Sequence, residues 1–392
     1  MQINLKELKV VPCMMMMLFA LQQAIDFNSI GMQMVSYAML AMMLMGAMVS
    51  FFLILRQRTI TLIDLLSIAF MVTVAASSLA HGTDFVQWAY LCFGICMLRF
   101  FFNYYQGDLR PLIFGLTVGF TIAVLAQFYQ LITHPDLWFV REDKADTGYI
   151  LGGNYNQIGV RLLITMILNM LCVKFSRWFY LLLIPCVVIC LAIPVMVGSM
   201  TSATCITLFL LLCLIPVARM RRMAIIGLLS GVALFQIFVC FSGKGIENND
   251  LMVWFIEDVL GKDITFTGRT HMWDTALRVI SESPIWGWGY PDKDWYLTNM
   301  TTHAVGPHNI LLATLIFGGI FTFLIYIYIL VVSLFRAFSI RDYGADCIMI
   351  GISILCLMML MEIFPLPVIF IFFLLAEYYP QFHYRTQLAH EQ

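Results

Sequence analysis

A succession of apolar stretches constrains this chain more than any other feature, because each is long enough to cross a lipid bilayer as a helix. About 20 apolar residues suffice, since a helix rises about 1.5 Å per residue and the hydrocarbon core is roughly 30 Å thick. Of the 392 residues, 61% are apolar and only 11% are charged, whereas globular domains carry about 25% charged residues. The sequence therefore predicts an all-α polytopic membrane protein, a single membrane domain over residues 1–392.

The apolar stretches predict about 12 transmembrane helices by this length criterion. They cover residues 10–27, 32–55, 60–80, 85–103, 111–133, 155–174, 178–197, 201–218, 222–241, 308–335, 343–363 and 365–381. Only the break that Pro365-Leu-Pro367 predicts separates the last two. Lys and Arg concentrate in every second link, for example at Arg56, Arg110, Arg221 and Arg341. Because basic residues favour the cytoplasmic side of short loops, we expect both termini in the cytoplasm.

Two long loops, about 134–154 and 242–307, then face away from the cytoplasm. The second lies between the ninth and tenth spans and contains two predicted amphipathic helices, about 249–260 and 270–282. The apolar face of the first helix suits it to lie on the membrane surface. We expect the loop 242–307 to carry much of an active site.

The composition gives no indication of a metal, a cofactor or a nucleic-acid partner. The net charge is −1, and the 11 cysteines all lie inside or beside apolar stretches, where cysteine usually packs as a small apolar residue. Asp292 and Asp294 form the acid-x-acid pattern by which many nucleotide-sugar transferases hold a metal. Those enzymes carry it on an αβ nucleotide-binding domain, which this chain lacks, so we predict no metal site.

Arg161 is a candidate site residue because it lies within the sixth predicted span. A basic side chain at that depth is costly unless it is paired, hydrated or bound to an anion. Asn154, Asn156 and Gln157 precede it by about two turns or less. The alternative is that Arg161 only extends toward the nearby interface.

Arg269 stands at the start of the predicted helix 270–282, which we expect Thr267 or Thr270 to cap. Free N–H groups and the helix dipole at such a start favour an anion, and an arginine there predicts a diphosphate site. Arg278 lies on the same helix outside its apolar face. A surface pairing of Arg269 with Asp274 or Glu282 is the alternative interpretation.

The remaining candidates are aromatic residues and histidines. Trp286, Trp288 and Tyr290 are suited to lie against a sugar ring or at the lipid headgroups. His303 and His308 flank the return of the chain into the membrane. Histidine titrates near neutrality, so His308 at a polar membrane mouth suits general-base chemistry, unless it is an ordinary residue at a helix start.

These motifs resemble those of one family when they are taken together and in order. They are Asn154-x-Asn156, Gly268-Arg269-x-x-x-Trp273, Ser283-Pro284, Gly287-x-Gly289 and His308-Asn309 followed by Gly319 and Thr322. The chain resembles the O-antigen ligase and polysaccharide polymerase superfamily of bacterial inner-membrane glycosyltransferases. Members often carry a basic residue after a serine at the outer start of a middle span, whereas Ser199 to Ser202 contains none.

The resemblance implies a periplasmic active site, an undecaprenyl-diphosphate-linked oligosaccharide as donor, and a repeat unit or lipid A-core as acceptor. A flippase and a chain-length regulator are the implied protein partners, and membrane lipid surrounds the chain. Under this interpretation Arg161, Arg269 and Arg278 contact the diphosphate and His308 is the catalytic base. The implied glycan contacts are Asn154, Asn156, Trp286, Trp288, Tyr290, His303 and Asn309.

We favour a polymerase that joins repeat units, with a ligase that transfers the finished polymer as its alternative. Twelve spans with both termini inside also suit a secondary transporter. Against a transporter, acids within the spans are few, Glu362 being the clearest, and no two-half repeat is visible. Dolichol-type transferases place catalytic acids in a first outer loop, and here that loop is only a few residues around Asp26.

Overall fold

The computed structural model describes residues 9–28, 31–57, 60–134, 149–151, 153–174, 178–242, 254, 258, 268–300 and 306–390. The predicted helix 249–260 therefore lies almost entirely outside the described residues. Apart from a hairpin of two-residue strands, β1 (Tyr149–Ile150) and β2 (Gly153–Asn154), the described secondary structure is helical. This confirms the all-α fold class.

Fourteen α-helices are described, and we number them in chain order. They are α1 (Val10–Ala24), α2 (Gln33–Gln57), α3 (Leu62–His81), α4 (Phe85–Tyr104), α5 (Arg110–Thr133), α6 (Ile158–Val173), α7 (Phe179–Met196), α8 (Met200–Cys213), α9 (Ala218–Phe235), α10 (Arg269–Glu282), α11 (Lys293–Asn299), α12 (Ile310–Phe338), α13 (Tyr343–Met359) and α14 (Leu366–His390). A 3-10 turn, Tyr155–Gln157, precedes α6, and a π-turn, Gln236–Cys240, continues α9.

Each predicted span coincides with one of the helices α1–α9 and α12–α14. Within the described residues, seven helices are long and apolar enough to cross a membrane: α3, α4, α5, α6 with its 3-10 turn, α7, α9 with its π-turn, and α12. The apolar parts of α1, α2, α8, α13 and α14 are shorter. The structure thus confirms a polytopic helical protein, while the count of twelve spans and their orientation stay predictions.

The core lies around α6, α13 and α14, which are buried along most of their described length. At the periphery, α1 packs on α5 without intervening side chains at Gly115 and Gly119. A Cβ on either glycine would overlap a backbone carbonyl of α1, that of Cys13 or of Met17. Such four-residue spacing of small residues lets apolar helices approach closely where no hydrophobic force drives them together.

Helix α12 is broken at Gly318 and Gly319, whose backbone is not helical. The segment after α10 fits into this break: Trp288 N–H donates to the Ile316 carbonyl at 2.6 Å and Ile320 N–H to the Pro284 carbonyl at 2.9 Å. A Cβ on Gly287 would lie 2.6 Å from the Gly319 nitrogen. The glycines that carry the family resemblance therefore allow two backbone segments to touch.

We call the end of the bundle at which α10 and α11 lie the loop end. The opposite end holds buried ion pairs. Arg99 contacts Asp64 and Glu377, each at 2.7 Å, and all three side chains are almost fully buried. Arg336 also pairs with Glu377, and Arg221 and Arg222 share Asp346.

Candidate active site

A short non-helical link at the loop end, residues 360–365, joins α13 to α14, and its first four residues gather side chains from distant parts of the chain. The sequence predicted the break here from Pro365 and Pro367, and α14 does begin at Leu366. Four side chains bond to four successive residues of the link: Asn309 Nδ2 to Leu360 O at 3.3 Å, Arg269 Nε to Met361 O at 3.0 Å, His308 Nδ1 to Glu362 Oε1 at 3.0 Å, and Gln157 Nε2 to Ile363 O at 3.2 Å. The link is therefore the point at which the starts of α6, α10 and α12 meet.

His308 is held between this link and the start of α12. Asn309 caps α12, its side-chain oxygen accepting the N–H groups of Leu311 and Leu312 at 3.0 and 3.1 Å. His308 has a φ of 47°, the only positive value among the described non-glycine residues. Such a conformation is uncommon outside glycine and costs free energy that neighbouring contacts must offset. The cap of α12 and the contact with Glu362 together fix the position of His308 at the loop end.

Glu362 is the site residue that the sequence did not identify. The sequence showed it only as an acid inside a predicted span. In the structure the Glu362 side chain is 10% exposed and lies behind His308, whose side chain is 28% exposed. The signal that was available is an acidic residue next to the Pro365 break, since charges inside membrane segments mark function by default.

Arg269 is the first residue of α10, as predicted, but the predicted cap is wrong. Gly268, with a φ of 81°, occupies the N-cap position, and Thr270 is already inside the helix. Thr267 lies outside the described residues. Gly268 has no side chain with which to cap α10, and the positive end of the helix dipole at such a start favours an anion.

Arg161 is buried on the first turn of α6, four residues after Gln157. Its Nε donates to the Gln23 carbonyl near the end of α1 at 3.0 Å, and the charge of Asp26 acts on it. The backbone of Asp26 is in turn bonded to Leu151, beside the β1–β2 hairpin. Arg161 is thus one helical turn from Gln157, which bonds to the link, and it is buried against the end of α1.

Arg278 is not brought to the link. Its side chain is 61% exposed, pairs with Glu282 at 3.6 Å and donates to the Asn299 carbonyl at 3.0 Å. It lies nine residues beyond Arg269, or about 13 Å along α10. In the structure Arg278 thus forms a surface pair away from the link.

The three aromatic candidates differ in exposure. Trp288 donates its indole N–H to the Val279 carbonyl at 3.0 Å, and Tyr290 packs against Trp88 and Phe317. Burial, with a smaller contribution from Asp84, raises the pKa of Tyr290 to about 12, so its hydroxyl stays protonated. Trp286, at 66% exposed, is the one that presents its ring to the surroundings.

The other candidates are placed less fully. Asn154 belongs to strand β2, and its side chain is not described; Asn156 lies half-buried in the 3-10 turn. His303 lies outside the described residues. Asp292 caps α11 by accepting the Trp295 N–H at 2.7 Å, which gives the acid-x-acid pattern a structural role. Where the chain is described, no three His, Cys, Asp or Glu side chains are grouped as a metal would require.

Comparison with known families supports the resemblance that the motifs carry. Residues 185–327 match the family model described as O-Antigen ligase. The matched region runs from α7 into α12. It contains Arg269, His308 and the contact between Gly287 and Gly319, but neither Arg161 nor residues 360–363 of the link. No curated protein matches the chain. The match confirms the O-antigen ligase and polymerase superfamily for this part of the chain.

Proposed function

From the O-antigen ligase pattern of residues 185–327, we propose that the protein is a membrane glycosyltransferase that joins oligosaccharide repeat units carried on undecaprenyl diphosphate. The observation that carries this proposal is the anchoring of Arg269 and His308 on adjacent residues of one link, Met361 and Glu362. Adjacent Cα atoms are about 3.8 Å apart. A cation for the leaving group and a base for the nucleophile are therefore neighbours.

The proposed reaction is a displacement at the anomeric carbon of the donor sugar. His308 removes the proton of an acceptor hydroxyl as that oxygen bonds to the anomeric carbon. The bond from this carbon to the diphosphate oxygen breaks, and undecaprenyl diphosphate leaves with the bonding electron pair. General-base assistance of this kind contributes about 10² to 10⁴ in rate.

Arginine side chains supply the charge that the leaving diphosphate requires. We assign Arg269 at the start of α10 to the diphosphate, with Arg161 as a second contact from α6. Arg278 contributes from the exposed face of α10, so its effect is smaller. Because arginine meets this charge, the proposed transfer is independent of a metal.

Glycan contacts are proposed for the residues around this centre. The exposed ring of Trp286 suits the face of a sugar, and Asn156 lies next to Gln157, which bonds to the link. Asn309, predicted as a glycan contact, is buried and uses its amide to cap α12 and to bond to Gln236 and Leu360, so we assign it to holding the start of α12. Asn154, Trp288, Tyr290 and His303 complete the proposed set. With the orientation that the basic links predict, this site faces the periplasm from the inner membrane, where a flippase delivers the donor and a chain-length regulator limits the product.

The experiment uses the purified protein in lipid vesicles with undecaprenyl-diphosphate-linked repeat units as the sole substrate. A polymerase makes a ladder of longer lipid-linked glycans that continues in EDTA. A ligase makes no ladder and transfers glycan only after lipid A-core is added, which would select the alternative. The absence of any transfer with either acceptor would contradict a glycosyltransferase, and reversible loss of transfer in EDTA would contradict independence of a metal.

Deletion of the gene gives the matching result in cells. Loss of a polymerase leaves single repeat units on the core, whereas loss of a ligase leaves bare core and accumulated lipid-linked polymer. Gel analysis of the surface polysaccharide separates these two outcomes.

A further inference from the structure

We propose that Glu362 is a positioning residue for His308: it accepts the Nδ1–H of the imidazole and leaves Nε2 as the atom that takes the acceptor proton. This inference rests on the proposed function, because it assigns the atom through which the proposed base acts. It also concerns a residue outside the region that matches the family.

The hydrogen bonds at Glu362 support an ionised, accepting carboxylate. Oε1 receives the His308 ring nitrogen at 3.0 Å and the Ile363 backbone N–H at 3.2 Å. An ionised carboxylate only accepts hydrogen bonds, and a buried one requires them. Since the buried Oε2 has no hydrogen-bond partner within the described residues, the carboxylate depends on the two donors at Oε1. A neutral imidazole that donates from Nδ1 cannot also carry a proton on Nε2.

The difference in exposure between Glu362 and His308 shows which of the two side chains lies nearer the surface. Glu362 is 10% exposed and His308 is 28% exposed, so the carboxylate lies on the inner side and the imidazole on the outer side. Glu362 therefore contacts no substrate and acts only through the ring. The backbone of His308 is held at a φ of 47°, which together with the Nδ1 contact limits the directions in which Nε2 can point.

A buried carboxylate behind a histidine base is a known device for fixing its tautomer. In the serine protease triad, replacing the aspartate with asparagine keeps the geometry but lowers turnover by about 10⁴, because the histidine takes the wrong tautomer. Here the histidine is 28% exposed, so we expect a smaller effect. Glu362→Gln should lower kcat at least about tenfold with KM for the donor nearly unchanged.

The kinetic test compares Glu362→Gln with Glu282→Gln in the vesicle assay. Glu282 lies at the same end of the bundle and its side chain is 51% exposed, so the same substitution there should leave kcat unchanged. His308→Ala is measured beside them. If His308→Ala is inactive while Glu362→Gln keeps the wild-type kcat, the proposed function stands and the inference on Glu362 is overturned.

The spectroscopic test does not depend on activity or on the folding of a Glu362 variant. Wild-type protein labelled with ¹⁵N-histidine is compared with His308→Ala to assign the His308 signals. We expect Nδ1 protonated and Nε2 bare in the wild type, and a mixture of tautomers in Glu362→Gln. A wild-type His308 with its proton on Nε2 would overturn the inference. If His308→Ala proves active, the proposed base is wrong, and this spectrum still decides whether Glu362 fixes the ring.

Discussion

The two ends of the bundle hold their arginines by different contacts. At the opposite end Arg99 meets two carboxylates at 2.7 Å, and Arg221 meets Asp346. At the loop end the buried Arg161 and the half-buried Arg269 donate through Nε to backbone carbonyls, both at 3.0 Å, and the charge of Asp26 also acts on Arg161. The first arrangement joins helices through buried ion pairs, whereas the second orients each guanidinium through the backbone.

We expect the largest effect, a loss of stability, from removing the charge of Arg99 at the opposite end. Arg99→Met would leave Asp64 without an arginine partner and Glu377 with Arg336 alone, and breaking a buried pair on one side costs about 3–5 kcal/mol. Arg110→Met is the control, because Arg110 pairs with Asp108 while 60% exposed and such pairs contribute about 0–1 kcal/mol. The measurement is the fraction of protein that stays folded after heating in detergent. Equal heat resistance of the two variants would remove the stabilising role of the opposite end.

A smaller effect, on activity and not on folding, is expected for arginine replacement at the loop end. Arg269→Lys keeps the charge but loses the planar two-pronged donor, so we expect kcat/KM to fall about 10- to 100-fold, as for one charge-assisted hydrogen bond. Arg278 lies on the exposed face of α10, so Arg278→Lys should lower kcat/KM only about two- to threefold. Initial rates in the vesicle assay check both values. Equal losses would mean that anchoring on the link does not distinguish the two arginines.

The sequence predicted those features that depend on neighbouring residues. Hydropathy located the helices, the prolines at 365 and 367 located the break before α14, and the pattern of residues 269–282 located α10. Charge and helix position identified Arg269, because an arginine at a helix start is a local feature. Its anchor on Met361 was not predicted.

Features that depend on contacts between distant residues escaped the sequence. Glu362 and His308 are 54 positions apart, and no local pattern pairs them. Gly287 and Gly319 entered only as motifs of the resemblance, whereas in the structure they allow two backbone segments to touch. The sequence was equally consistent with Trp288 and Tyr290 as surface aromatic residues. In the structure Trp288 bonds to α10, and Tyr290 packs against Trp88 and Phe317.

The central claim is that the loop end performs the transfer while the opposite end only holds the fold. The most direct test is the turnover per folded molecule of His308→Ala and of Arg99→Met, with the folded fraction of each isolated by size-exclusion chromatography. We predict that His308→Ala gives the wild-type folded yield with turnover lowered about 10² to 10⁴-fold. Arg99→Met should give a low folded yield with near wild-type turnover. A folded His308→Ala protein that turns over at the wild-type rate would contradict the account.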